Sequence, residues 1–251
     1  MLPKLDTPTY RLTLPSTGDE IQYRPFLVKE QKLLMMAQES EEDQQILDAV
    51  TSLVKTCTFD KVDANDSPMF DVEYIFLQIR GKSVGEKVQL QLICPDDEET
   101  TVETEIDIKD IAVQMTDNHT NEIKITDTVK IFLNYPLLKD MKGLMSNASE
   151  MQQIFSVLTK CVHEIHYGEQ IFSKIDISEK DIDEFIDQLT TDQFEGISNF
   201  FDTMPNLRHV IPITNPKTNV KSEVVVEGLA SFLEWVFLMI AYIITIRLIF
   251  H

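Results

Sequence analysis

The sequence has few basic residues and few cysteines. Its 22 lysines and arginines stand against 42 aspartates and glutamates, which gives a net charge of −20. Because phosphate recognition needs clusters of basic side chains, we expect no nucleic-acid partner. The three cysteines, Cys57, Cys94 and Cys161, are too sparse for a disulfide framework and indicate a reducing compartment. The opening stretch MLPKLDTPTY lacks an apolar segment, so no signal peptide is predicted.

The sequence also lacks a complete catalytic or cofactor motif. The stretch RGKS at Arg80–Ser83 contains the Gly-Lys pair of a phosphate-binding loop, but Phe76 stands where that loop needs a glycine. In HEIH the two histidines, His163 and His166, are three residues apart instead of the four of a zinc-protease helix. There is no nucleophile-elbow pattern and no dinucleotide-binding fingerprint. These observations predict a non-enzymatic protein without a cofactor or a metal site.

Hydrophobic periodicity predicts an α+β fold. Period-two alternation predicts hairpins at 10–23, 88–108 and 209–228, a further strand at 129–135, and an edge strand around Pro212. Helical spacing and start signals predict helices at 26–40, from an N-cap at Ser40 to Cys57, from Pro68 to about 79, at 151–165, after Ser178, and from Thr191 to Pro205. Cys57 and Cys161 lie on apolar helix faces and should be core thiols.

The predicted architecture is a mixture of helices and antiparallel hairpins, compact and built as one lobe or two. We assign residues 1–232 to this α+β region, with a β-rich part at 84–135, and residues 233–251 to an apolar, helical C-terminal tail.

Several stretches together resemble a known family. They are LPSTGDEIQYRPFLVKEQKLL, TCTFDK, SPMFDVEYIFLQIRGKSVGE, IKITDTVKIFLNYP, DQFEGISNFFDTMPNLRH and VVVEGLASF. The order and the sequences of these stretches resemble those of the baseplate hub subunit and hub assembly proteins of T-even-type contractile-tail bacteriophages. The resemblance extends from the first hairpin to Phe232. The resemblance implies a protein needed to build the central hub of the tail baseplate. It also implies partners among hub or tail proteins, and residence in the host cytoplasm during assembly or in the virion baseplate.

An assembly role requires docking surfaces, and two acidic segments are the candidates. The stretch PDDEET forms an acidic loop tip, and a second set of acids follows the helix start at Ser178. A negative surface attracts basic partners and speeds their encounter. The alternative for both segments is an ordinary solvated surface. The candidate docking residues are Asp96, Asp97, Glu98, Glu99, Asp181, Asp183, Glu184 and Asp187.

The apolar tail allows three interpretations. Its uncharged run, Trp235–Ile246, is twelve residues long, whereas a transmembrane helix needs about 20. Docking on the protein's own core or on a partner, through Trp235, Met239 and Tyr242, fits this length better. A membrane anchor is the alternative and would make this a membrane-associated viral protein. The third interpretation is a by-product of overlapping reading frames.

Overall fold

The computed structural model describes residues 5–40, 42–141 and 150–227. Over these residues the chain forms seven α-helices and eleven β-strands, and the strand pairs are antiparallel. The predicted α+β class, with antiparallel hairpins, is confirmed.

The elements follow one another along the chain in a mixed order. The helices are α1 (Val28–Glu39), α2 (Asp43–Cys57), α3 (Met69–Val84), α4 (Leu138–Met141), α5 (Glu150–Cys161), α6 (Glu179–Ile186) and α7 (Thr191–Thr203). The first six strands are β1 (Tyr10–Thr13), β2 (Glu20–Tyr23), β3 (Lys87–Ile93), β4 (Thr101–Asp107), β5 (Ala112–Gln114) and β6 (Glu122–Lys124). The remaining strands are β7 (Val129–Leu133), β8 (Val162–Tyr167), β9 (Gln170–Ser173), β10 (Asn206–Thr214) and β11 (Lys221–Glu227).

The described residues divide into two compact units. Unit 1 comprises residues up to 64, residues 70–114 and residues from 206 onward, and unit 2 comprises residues 65–69 and 115–205. The chain leaves unit 1 after Gln114, at the end of β5, and returns to it at Asn206, at the start of β10. These two residues pair with each other. Most of unit 2 is therefore inserted in sequence between two strands of unit 1, an arrangement tolerated where the ends of the insert lie close together.

Unit 1 is organised around α3. The sequence of this helix is apolar almost all round, and Val72, Ile75 and Ile79 are completely buried. Gly85, with a φ of 118°, ends α3 in a conformation that L side chains rarely adopt, and β3 begins two residues later. The helix packs through Leu77 into a core shared with β3, β4, β10 and β11. The buried members of this core are Leu77, Val88, Leu90, Cys94, Ile106, Ile108, Ile111, Leu207, Ile211, Ile213 and Val226.

The three predicted hairpins are confirmed in unit 1 as β1–β2, β3–β4 and β10–β11. The prediction that Pro212 marks an edge strand is wrong, because β10 lies between β11 and β5. The proline is tolerated because β5 pairs only with Asn206–Arg208, so its missing N–H falls beyond the end of β5.

Unit 2 contains a four-stranded sheet in the order β6-β7-β8-β9, with α5, α6 and α7 contributing to its core. The sequence signal for α6 is confirmed, since Ser178 is its N-cap. Thr190 caps α7 in the same manner. The buried core residues are Ile123, Ile125, Ile131, Leu133, Leu158, Val162, Ile165, Ile182, Ile186, Ile197 and Phe200.

The predicted long helix at 151–165 is wrong in its second part. Helix α5 ends at Cys161, and β8 begins at Val162. Val162 and Ile165 are both buried, and their separation of three residues fits a helix. In the structure a register shift opposite Phe132 and Leu133 inserts one extra residue, His163, into β8. This bulge turns the side chains of Val162 and Ile165 to the core, so two buried residues of a strand have the three-residue spacing that is typical of a helix.

Two predicted helix starts also need correction. Ser40 does not cap α2: it follows the last residue of α1, and its hydroxyl donates to the carbonyl of Ala37 at 2.6 Å. Helix α2 begins at Asp43 instead. Helix α3 begins at Met69, one residue after Pro68, which forms an isolated bridge with Leu137.

The three cysteines are buried, with free thiols, so the predicted core positions of Cys57 and Cys161 are confirmed. The predicted tail at 233–251, with Trp235, Met239 and Tyr242, lies outside the described residues. Within the three described ranges, no helix has the length and apolar character needed to cross a bilayer.

Candidate docking surfaces

The first predicted surface, the β3–β4 loop, is held to a second loop by Asp96. Its carboxylate accepts hydrogen bonds from Nδ2 of Asn215, at 3.0 and 3.1 Å, and from Oγ1 of Thr218 at 2.5 Å. Asn215 is 1% exposed and lies in the loop between β10 and β11. The bonds from Thr218 and Asn215 lower the pKa of Asp96. This carboxylate is therefore engaged within unit 1, although its side chain lies at the surface.

Asp97 closes its own loop. Its carboxylate accepts hydrogen bonds from the hydroxyl of Thr100 at 2.5 Å and from the backbone N–H of Thr100 at 2.9 Å. These bonds hold its pKa well below the usual range. Glu98 occupies the turn with a φ of 55°, and Glu98 and Glu99 are both exposed. Asp96 and Asp97 therefore keep their negative charge while they hold the loop, and the exposed Glu98 and Glu99 add two further charges at its tip.

The second predicted surface is α6, and one of its acids has a structural role. Ser178 and Asp181 form a capping box, in which the Ser178 hydroxyl accepts from the N–H of Asp181 and the Asp181 carboxylate accepts from the N–H of Ser178. The hydrogen bonds from Ser178 lower the pKa of Asp181. Glu184 pairs with Lys180 at 3.1 Å, a strongly exposed contact that contributes little stability.

The other two predicted acids, Asp183 and Asp187, border a groove between α5 and α6. The groove has a volume of about 270 Å³, and its polar and apolar lining includes Gln152, Phe155, Ser156, Thr159, Glu179, Asp183, Ile186 and Asp187. Asp183 accepts a hydrogen bond from the hydroxyl of Thr159, which is 3% exposed. This bond ties α6 to α5 and fixes one wall of the groove.

Glu179 was not among the predicted docking residues, although the sequence carries a signal for it. Glu179, Asp183 and Asp187 follow one another at intervals of four residues, which places them in one row along α6. Like charges at this spacing repel each other by about 0.2–0.5 kcal/mol per pair. The row therefore concentrates negative charge on one side of the groove.

The histidines of HEIH lie on strand β8 and not on a helix. Nε2 of His166 is 2.8 Å from the Glu164 carboxylate, and Nε2 of His163 is 3.6 Å from it. Across the described ranges, no three His, Cys, Asp or Glu side chains are grouped so that they could hold a metal ion.

A third histidine, which the sequence did not single out, is fixed inside unit 2. Nδ1 of His119 is 3.0 Å from Oγ1 of Thr203, whose own hydroxyl donates to the carbonyl of Asn199 at 2.6 Å. With the Thr203 proton on the Asn199 carbonyl, the tautomer that satisfies both contacts is the one in which Nδ1–H donates to Thr203. The ring also packs against Tyr135 and Phe200, with centroid distances of 5.6 and 5.0 Å. Burial lowers the pKa of His119, so the site holds a neutral imidazole.

Comparison with known proteins was made at the levels of family, sequence and structure. No curated protein sequence and no solved structure matches the chain. The family model described as T4 bacteriophage base plate protein matches residues 7–234. Because this match spans both units and most of the sequence, the chain belongs to the T4 bacteriophage base plate protein family.

Proposed function

We propose that this protein is required for assembly of the central hub of the contractile-tail baseplate. It acts without enzymatic chemistry, as a hub subunit or as an assembly chaperone, through contacts with other hub or tail proteins. Membership of the base plate family supports a role in the phage virion or its assembly. This proposal includes the hub as the structure that is assembled and the host cytoplasm as the place of action. It also includes the absence of a nucleic-acid partner and of a cofactor.

The observation that carries the docking role is the carboxylate row beside the α5–α6 groove. Glu179, Asp183 and Asp187 line the groove together with the apolar side chains of Phe155 and Ile186. A partner segment with a lysine or an arginine above an apolar side chain would satisfy both parts of this lining. The proposed occupant is a basic, amphipathic segment of another baseplate protein.

The overall charge of the chain also favours a basic partner. A net charge of −20 attracts basic surfaces over a distance and repels other acidic chains. Such attraction mainly raises the rate of association and is screened by salt. Binding of the basic partner should therefore weaken as the salt concentration rises.

Charge reversal in the groove tests the proposal. We would replace both Glu179 and Asp187 by lysine and leave Asp183 in place, because Asp183 holds α5 through Thr159. The matched control is Glu195→Lys with Asp202→Lys, which changes the net charge equally on exposed positions of α7 in the same unit.

Each variant would be supplied during infection by a phage that lacks the natural protein, and completed baseplates would be counted by electron microscopy. The groove variant should lose most assembly, whereas the α7 control should retain it. Circular dichroism would confirm that both variants are folded. Normal assembly with the folded groove variant would exclude the groove as the docking surface.

A further inference from the structure

Helix α1 of unit 1 carries apolar side chains on both of its faces. Leu34 and Ala37 are buried on the inner face. On the outer face, Val28 is 67% exposed, Leu33 is 41% exposed and Met36 is 68% exposed. The outer side of a surface helix is ordinarily polar, and a helix that is apolar all round is ordinarily covered. The outer face of α1 therefore has the composition of a covered surface.

The neighbouring helix α2 does not share this feature. It packs against α1, and it buries an apolar stripe of its own. Among its described side chains, the exposed ones are all polar, namely Gln44, Gln45, Asp48, Ser52 and Lys55. The exposed apolar face is therefore a property of α1 and not of the helical pair.

Two lysines lie among the apolar side chains on the outside of α1. Val28, Lys32 and Met36 follow one another at intervals of four residues, and Lys29 and Leu33 form a second row beside them. Both lysines are exposed. We call these five residues the α1 face. In a chain with a net charge of −20, this combination of apolar and basic side chains fits an apolar segment that carries an acid.

The sequence that follows β11 has these properties. Residues 228–251 lie outside the described residues, and their sequence contains one acid, Glu234, and one base, Arg247. These two charges stand directly before and directly after the uncharged run at 235–246. The segment carries no net charge, so the negative charge of the rest of the chain does not repel it.

We propose that residues 234–247 of the same chain dock as a helix on the α1 face and run parallel to α1. Glu234 and Arg247 are thirteen residues apart, about 20 Å along a helix, and Lys29 and Glu39 are ten residues apart, about 15 Å. In the parallel arrangement Glu234 lies beside Lys29 and Lys32, and Arg247 reaches Glu39. The antiparallel arrangement would bring like charges together at both ends.

The parallel arrangement also decides which side of the segment faces α1. Trp235, Met239 and Tyr242 are spaced by four and three residues, so they share one side of a helix. With Glu234 beside Lys29, Tyr242 lies opposite Met36. These three side chains cover the apolar part of the α1 face, and the lysines extend past them to water.

The connection from β11 is long enough for this docking. The sheet that contains β11 packs on Leu77 of α3, and the hydroxyl of Ser83 in α3 accepts a hydrogen bond from the N–H of Phe26 at 2.9 Å, just before α1. Helix α3 therefore contacts both the sheet and the start of α1, and a helix is about 10–12 Å across. The eight residues from Glu227 to Trp235 span up to about 26–29 Å.

The short connection favours the same chain over a second copy as the occupant. It holds the segment near the α1 face at an effective concentration of the order of millimolar, so a contact smaller than an interface between separate proteins is sufficient. A second copy would have to approach against the repulsion between two chains of net charge −20. The inference concerns unit 1 and does not depend on the acidic groove of unit 2.

Oxidation of methionine by hydrogen peroxide tests the docking in the full chain. Met115, which is 61% exposed, is the internal reference for Met36. Met36 should be oxidised at least about tenfold more slowly than Met115, as expected if the segment is docked in about nine molecules of ten. Peptide mass spectrometry measures the two rates in one sample.

Two variants of the full chain place the same added charge on opposite sides of the segment. Trp235→Lys with Tyr242→Lys puts lysines against the α1 face, so the oxidation rate of Met36 should rise to that of Met115. Phe237→Lys with Ile244→Lys is the matched control, because these positions lie on the opposite side of a helix, and Met36 should stay protected.

Three results would overturn the proposal. The first is equal oxidation of Met36 and Met115 in the wild-type chain, and the second is protection that survives Trp235→Lys with Tyr242→Lys. The third is protection that disappears on dilution, which would identify a second copy as the cover.

A disulfide test decides the result independently of the lysine variants. The three natural cysteines are buried, so introduced cysteines are the reactive ones. Positions that face each other across two packed helices come within disulfide distance. Met36→Cys with Tyr242→Cys should therefore form a bond within one chain, at a rate that does not depend on protein concentration. The control pair, Ser52→Cys on the outside of α2 with Tyr242→Cys, should react at least about tenfold more slowly; equal rates would contradict the docking.

Discussion

Replacement of Asn215 by alanine should destabilise unit 1 strongly, because this side chain joins two loops. Its Nδ2 donates to both oxygens of Asp96, and its Oδ1 accepts from the backbone N–H of Lys217 at 2.8 Å. The side chain is almost completely buried, so water cannot easily replace these partners. The change removes a bridge between the β3–β4 and β10–β11 loops.

The expected loss follows from these contacts. Because the Asp96 carboxylate is exposed, solvent screens its bond to Asn215, and we take each of the two interactions at the value of a neutral hydrogen bond, about 0.5–1.5 kcal/mol. Together they predict a decrease of about 1–3 kcal/mol in the free energy of unfolding. For a chain of this size the melting temperature should fall by roughly 2–12 °C.

Urea unfolding and calorimetry would measure the effect of Asn215→Ala. Lys217→Ala is the matched control, because it keeps the backbone N–H that contacts Asn215 and should be nearly neutral. In a double-mutant cycle with Asp96→Ala, the two changes should be clearly less than additive, because each removes the same hydrogen bonds. Full additivity would refute the reasoning and would leave Asp96 available for docking.

Three further predictions concern other contacts. Glu30→Ala should cost about 3–5 kcal/mol in urea unfolding, because it leaves the buried guanidinium of Arg24 without its partner at 3.0 Å; a cost near zero would contradict this pairing. His119 has a lowered pKa in the folded protein, whereas the unfolded ring binds a proton near pH 6.5, so stability should fall as the pH drops below about 6.5. His119→Phe should reduce that fall between about pH 7.5 and 5.5, as measured by urea midpoints, and an unchanged pH dependence would exclude His119 as its source. Gly85→Ala should lower the free energy of unfolding by about 1–3 kcal/mol, as measured by thermal unfolding, because L side chains rarely adopt a φ of 118°, and a stabilised variant would contradict the observed end of α3.

Local sequence patterns predicted the elements whose contacts are local. The start of α6 was predictable because Ser178 and the acid three residues later form a capping box within one turn. The β3–β4 hairpin was predictable because period-two alternation continues on both sides of its acidic loop. In both cases the determining partners lie close together in sequence.

The second half of the predicted helix at 151–165 was wrong because a distant partner determines it. The bulge at His163 arises from pairing with β7, about thirty residues earlier in the chain. Spacing within the segment contains no information about that pairing. The true boundary at Cys161 was therefore not accessible from helical periodicity alone.

The roles of the candidate acids were only partly predictable. Asp96 is held by Asn215, 119 residues away in sequence, and Asp183 is held by Thr159, 24 residues away. Neither contact has a local signal, so the sequence could not separate engaged carboxylates from available ones. The row that includes Glu179 did have such a signal, namely the four-residue interval along α6.

The central claim is that this protein builds the baseplate by presenting surfaces to other virion proteins. The most direct measurement is electron microscopy of particles from cells infected by a phage that lacks this protein, with and without the protein supplied in trans. The account predicts baseplates without a hub, and no infectious tails, until the protein is supplied. Infectious tails with complete hubs in its absence would contradict the account.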